Sequence, residues 1–574
     1  MRNRLLVRHF LTRFFEHDLI STNADRHEVL SSAGGGFFAV SLFVAVLISL
    51  QYQFNNFLPP GLTSVRSLAE RFLFVSASML VMALLAVALW DGLALDARDT
   101  AVLGVLPVPR SAIVRAKFIA VALMAGAADI AWNLPSTLLR AVSLPLTLPV
   151  HGRSVLLLIF AHGLVTLSAG AFGFLAILAL REGLTAVLGR DRFHRISPAV
   201  QATLLVVLIS SLLLLPGGYT GIARRWLARA PIVRNIFPPL WFVGLNEALS
   251  GSVIDSLPHT RPIGYLVVPE LNATVFYRSL WPLYHQLGRV AMPALALVAL
   301  VGIVASVWNN RRLPTPIVER ERGRGWMRAF GKWLAAHVVA RSLAQQAGFW
   351  FTLQTLPRRV THRAVLASAL AVGLALGLIA GPIAILSAQS LLLASLIAGF
   401  RHAVQLPAEF RASSTFTLAS HGELRGYAAG VKRAGFVLLV LPALSALCVW
   451  HVFVLGPRTA ALHLCFGAVF SALVMQLLFT RYRRVPLVSG YVPNPDLKSR
   501  GAIGVVTALL TISALAAIER QTLLAGVGYF IVLVCVLAAV TAAAAAFDNA
   551  PRDLAALDLN EEVPLPTQRL NLAG

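Results

Sequence analysis

About twelve apolar runs, each close to twenty residues long, recur along this chain, and nothing else restricts its fold so strongly. They fall at about 35 to 52, 72 to 91, 113 to 134, 155 to 180, 199 to 216 and 290 to 308. A second set falls at about 364 to 386, 388 to 404, 435 to 455, 460 to 479, 501 to 518 and 522 to 547. A helix rises 1.5 Å per residue, so about 20 apolar residues match a hydrocarbon core of roughly 30 Å. With 57% hydrophobic and only 13% charged residues in 574, the chain has far more apolar surface than an aqueous fold can bury. The expected fold is all-α: a polytopic membrane protein with about 12 transmembrane helices in two six-helix halves.

Charge gives the expected orientation. The formal net charge of +24 would suggest nucleic acid in a soluble protein, but no basic soluble domain exists to carry it, and no nucleic-acid partner is expected. Arginine excess in a polytopic chain marks cytoplasmic loops. With the amino terminus inside, about 36 of the 49 Lys and Arg fall on cytoplasmic segments and about 6 on short external loops, so both termini are expected in the cytoplasm. The charged first thirty residues do not read as a cleavable signal peptide. Arginine far outnumbers lysine, as in GC-rich bacteria, and the inner membrane is the expected location.

The boundaries follow from these runs. Residues 1–312 form a first half with six spans and a long external segment at 217–289; 313–362 form an amphipathic cytoplasmic linker; 363–550 form a second half with six spans; 551–574 form a cytoplasmic tail. In the linker, Trp326, Phe330, Trp333, Leu334 and Val338 share helical spacing while Arg328 and Lys332 occupy other faces, as in a helix lying among headgroups. Leu6, Phe10 and Phe14 repeat the pattern before the first span. Externally, Trp241, Phe242, Leu245 and Leu249 can form the apolar face of a short helix on the outer surface, with packing against the span tips as the plainer reading.

Little in the chain resembles a catalytic motif. There is no P-loop, no H-E-x-x-H, no spaced Cys and His set and no nucleophile elbow, so the protein is expected to be no enzyme, with no metal and no cofactor of its own. Cys448, Cys465 and Cys535 lie in apolar runs and read as packing residues. Asp129 is the one acid expected well within a span, either lining a pathway or reaching external water or Arg140. His162, His451 and His463 are expected to bond between helices. So few buried acids disfavour an ion-coupled carrier.

Between the second and third spans lies "DARDTAVLGVLPVPRSAIVRAK", Asp96 to Lys117. A short helix exposing Asp96, Arg98 and Asp99 is expected to end at Pro107 and Pro109, which lack backbone donors, and Ser111 to cap the next helix. A later loop offers loose counterparts: Glu409 for Asp96, Arg411 for Arg98, Leu418 for Leu103 and Lys432 for Lys117. Six spans per half would point two copies the same way across the bilayer.

On Asp96, Arg98, Asp99, Leu103, Leu106, Pro107 and Lys117, this loop resembles the first cytoplasmic loop of the type-two permease family of ATP-binding-cassette (ABC) transporters. The amphipathic amino-terminal helix also resembles that family's interfacial connecting helix. The resemblance implies an exporter energised by separate ABC ATP-binding subunits, which carry the ATP and magnesium and dock on these loops, Glu409 and Arg411 included. The expected partners are that subunit and membrane lipids. A membrane enzyme acting on lipid or isoprenoid substrates is the alternative, followed by an ion-coupled carrier.

Overall fold

A computed structural model describes residues 2–15, 26–53, 60–90, 92–93, 108–147, 155–218, 235–250, 269–311, 342–379, 385–408, 424–480, 485–488 and 497–549. Among them there is helix and no strand, as an all-α polytopic membrane protein requires. Ten of the described helices are long and apolar enough to cross a bilayer. Of the twelve runs read from the sequence, the first has a described apolar part, Gly35–Leu50, shorter than a full span. The eighth carries Gln389, Arg401 and His402, which lower its apolarity. Large apolar side chains on the spans point outward, among them Leu156, Phe453, Leu510 and Val532, as they do where lipid is the solvent.

The chain divides into two compact units, the first comprising Met1–Leu204 and Ser211–Val318, the second Leu205–Ser210 and Glu319–Gly574. In the first, the helices are α1 (Arg2–Phe15), α2 (Arg26–Gln53), α3 (Pro60–Ala88), α4 (Arg110–Thr147), α5 (Val155–Leu188), α6 (Arg190–Gly218), α7 (Pro238–Ser250) and α8 (Pro269–Arg311). In the second they are α9 (Leu343–Arg358), α10 (Val360–Ile379), α11 (Ile385–Gln405), α12 (Leu424–Gly435), α13 (Leu441–Leu455), α14 (Pro457–Phe479), α15 (Leu497–Ala525) and α16 (Val527–Asn549). A π-helical turn, Phe436–Val440, joins α12 to α13 without a break. The sequence places residues up to 362 in a linker, but α9 packs on α12 and belongs to the second unit.

In the first unit, α3, α5, α7 and α8 share a core of Val75, Met79, Val165, Ala169, Phe172, Phe242, Val243 and Ala291. Helix α7 therefore does not lie on a membrane surface but packs into this core. Leu240, Phe242, Val243 and Glu247 are buried, and Glu247 pairs with the equally buried Arg71 of α3. A carboxylate can be enclosed there because the arginine compensates its charge. The start of α4 also departs from the sequence reading. The helix begins at Arg110, the amide of Ala112 bonds to the carbonyl of Pro109 at 2.8 Å, and Ser111 sits inside the first turn instead of capping it.

The units repeat a contact scheme. Ser78 on α3 donates to the carbonyl of Thr166 on α5 at 2.9 Å, and Gln389 on α11 donates to the carbonyl of His463 on α14 at 2.8 Å. Four residues along each acceptor helix stands a glycine, Gly170 or Gly467, at which a Cβ would strike that same donor side chain, Ser78 or Gln389. Further on at equal spacing, the Arg181 guanidinium lies 5.9 Å from the Trp90 ring centroid, and Arg401 donates to the carbonyl of Leu478 at 2.5 Å. The ladder differs elsewhere: α2 packs on α4, whereas α10 packs on α11.

Candidate functional site

Most of the loop residues singled out in the sequence, Asp96, Arg98, Asp99, Leu103, Leu106 and Pro107 in the first unit and Glu409 and Arg411 in the second, lie outside the described residues. So does the amphipathic stretch from Trp326 to Val338. What the structure describes is where those loops are rooted. Before the first loop, the Trp90 indole donates to Ser197 Oγ at 2.8 Å and Gln201 donates to the carbonyl of Val87 at 3.2 Å, tying the end of α3 to α6. Before the second, His362 Nε2 lies 3.2 Å from the carbonyl of Leu406. Leu487, at φ 66, donates through its amide to the carbonyl of Val404 at 2.7 Å and accepts from the amide of Ala408 at 2.8 Å. A left-handed leucine is uncommon, and here two backbone bonds hold it against the end of α11.

Beyond each loop, a short helix lies against the start of the returning span. In the first unit, Leu6 and Phe10 of α1 pack on Ile113, Ala116 and Ala120 of α4. Lys117 is buried there, its ammonium 5.0 Å from the Phe10 ring centroid. It binds α1 to the span and does not face outward as a docking charge. In the second unit α9 takes the same place against α12. A Cβ at Gly348 would overlap the carbonyl of Tyr427, one at Gly430 would overlap that of Gln345, and Phe349 packs on Ala434. Lys432 there donates to Gln476 Oε1 of α14 at 3.1 Å. Lys117 precedes Asp129 by the same interval as Lys432 precedes Leu444, and Leu444 meets Gly467 where Asp129 meets Gly170.

Asp129 itself is enclosed by α3, α4 and α5. Asn133 Nδ2 donates to Asp129 Oδ1 at 2.8 Å and to Ser78 Oγ at 2.9 Å, and Gly170 closes the third side. Asp129 is buried, and among the described residues its side chain bonds to Asn133 and not to Arg140. Arg140 instead pairs with Glu70 at 3.4 Å, close to Ser49, Phe74 and Ser136.

Buried acids are not scarce. Beside Asp129, the described residues bury Glu70, Glu182, Glu247 and Glu519. Glu182 pairs with its neighbour Arg181 and accepts from Asn309 at 2.8 Å. Glu519 falls in the short gap between the apolar runs at 501 to 518 and 522 to 547. However, α15 runs through it to Ala525 and breaks only at Gly526, where φ is 130. That glycine was the signal in the sequence for the true end of the helix. Among the described residues, no group of three or more His, Cys, Asp or Glu side chains could hold a metal ion. No family model, curated protein or solved structure matches this chain.

Proposed function

We propose that this chain is the membrane-spanning permease of an ATP-driven exporter of the ABC type, energised by separate ATP-binding subunits that dock on its cytoplasmic loops. The observation that carries the proposal is the recurrence, in both units, of a short helix packed on the start of a returning span, α1 on α4 and α9 on α12. A lysine stands at matching register in each, Lys117 and Lys432. Such a pair is a lever: a partner that shifts the loop or the short helix tilts a rigid span, because a close-packed contact transmits displacement and does not absorb it. The loops' roots support the same reading, since Ser197, Gln201, His362 and Leu487 hold the spans on the near side. On this reading the chain carries twelve spans in two halves of six, an internal duplication supported by the repeated Ser78 to Thr166 and Gln389 to His463 bonds. Both termini and both handles face the cytoplasm of a bacterial cell.

The test is docking. Affinity purification of the chain from its native membranes should recover a subunit with a phosphate-binding loop. The double reversal Asp96→Arg with Arg98→Glu should release that subunit while the permease stays inserted. Undiminished recovery would end the assignment of the site. A cysteine at position 96 that reacts from outside intact cells would overturn the orientation.

The buried carboxylates favour one second reading, a carrier driven by an ion gradient. Turnover in nucleotide-free vesicles under an imposed proton gradient would select it over the first.

A further inference from the structure

Three ionisable side chains converge inside the helices of the second unit, one from each of three elements. His451 comes from α13, His463 from α14 and Glu519 from α15, and all are buried. His463 Nδ1 lies 2.5 Å from Glu519 Oε1, and the His451 and His463 rings stand 4.8 Å apart at their centroids, inclined at 56°. An imidazole nitrogen and a carboxylate oxygen each present a lone pair, so contact between them requires a proton in the bond. Geometry alone therefore assigns this pair one exchangeable proton.

The atoms around it are unfinished. His451 Nδ1, His463 Nε2 and Glu519 Oε2 are buried with no hydrogen-bond partner, and so are Gln389 Oε1 and Ser390 Oγ of the adjoining α11. Buried polar groups are ordinarily satisfied, and five orphans at adjoining helices mark a place where something exchangeable binds. Groups on the surrounding elements leave the charge balance to the cluster itself. From α11 come the neutral Gln389 and Ser390, and from α16 come Phe530 and Leu537. On α13, Cys448 is half-buried; Arg458 of α14 and Arg520 of α15 are exposed.

We propose that His451, His463 and Glu519 form a proton-binding site within the membrane-spanning helices of the second unit. A proton arriving at Nε2 of neutral His463 makes an imidazolium against the Glu519 carboxylate. The Nδ1 proton then passes to Oε1, leaving a neutral imidazole and a protonated carboxyl. His451, its ring tilted against that of His463, delivers or accepts the proton at the Nε2 side. The site is independent of the energy source proposed above, and its test does not use ATP.

The test is infrared difference spectroscopy on the purified full-length chain in lipid nanodiscs, stepped in pH. A protonated-carboxyl band should appear and vanish with pH in the natural protein, together with a histidine ring mode. The carboxyl band should be lost in Glu519→Gln and displaced but present in Glu519→Asp, and His463→Gln should remove its share of the ring mode. If the variants do not fold, the natural protein labelled with 15N-histidine should show the nitrogens of two residues changing over the same pH interval. Spectra of the natural protein and Glu519→Gln that match would overturn the proposal. So would histidine signals that stay constant with pH, or sodium or zinc ions abolishing the pH step, which would make this a cation site instead.

Discussion

Gly170 and Gly173 let α5 approach its neighbours, and what a side chain would meet differs at each. At Gly173 a Cβ would run into the carbonyl of Met79, which is backbone and has no rotamer to yield; at Gly35 it would meet nothing within 4 Å. Gly173→Ala should therefore lower stability by about 1–3 kcal/mol, the range for overpacking, while Gly35→Ala should be close to neutral. Thermal melts of the two variants in one detergent would check this. The ion pair of Arg71 and Glu247 yields a second expectation. Removing either partner strands a buried charge and should cost about 3–5 kcal/mol, whereas replacing both with Met and Leu should cost less than either single change. Additive losses in that double-mutant cycle would deny the coupling.

At the scale of elements, the helices outside the spans matter most. Helix α1 is short and polar on one face, and isolated helices of such length are marginal in water, so its position depends on the contact with α4. Phe10→Ala removes both the ring over Lys117 and the centre of that contact, with a local loss on the scale of about 3–5 kcal/mol for a buried Phe. Amide exchange in α1 should rise by at least tenfold while exchange in the middle of α5 stays as it was. Phe349→Ala should do the same to α9. Helix α7 makes the contrasting case, since its apolar face and Glu247 are both enclosed, and it should remain protected in either variant.

The whole molecule consists of two compact packing units, which divide between Val318 and Glu319 except that Leu205–Ser210 of α6 counts with the second. Each has its own core, around Val75, Phe172 and Phe242 in the first and around Leu393, Phe400 and Val431 in the second. Fragments 1–318 and 319–574 expressed separately should each insert and keep a protease-resistant helical core. Complete degradation of one fragment in the absence of the other would show that its core is not its own.

The sequence by itself determined that the chain is helical and lives in a membrane, because hydropathy over about twenty residues is a local quantity and lipid permits few other structures. It also marked α1 as amphipathic; of the three histidines expected to bond between helices, His463 does so to Glu519, whereas both ring nitrogens of His162 are buried without a hydrogen-bond partner among the described residues. Only the tertiary structure decided that Lys117 caps the Phe10 ring, that Asp129 answers to Asn133 and Ser78 instead of Arg140, and that Glu519 reaches His463. The physical reason is the same in each case. A polar side chain in a span is satisfied by whichever partner packing brings within hydrogen-bond distance, and such partners as Arg71 and Glu247 stand far apart along the chain, where no local pattern records their meeting.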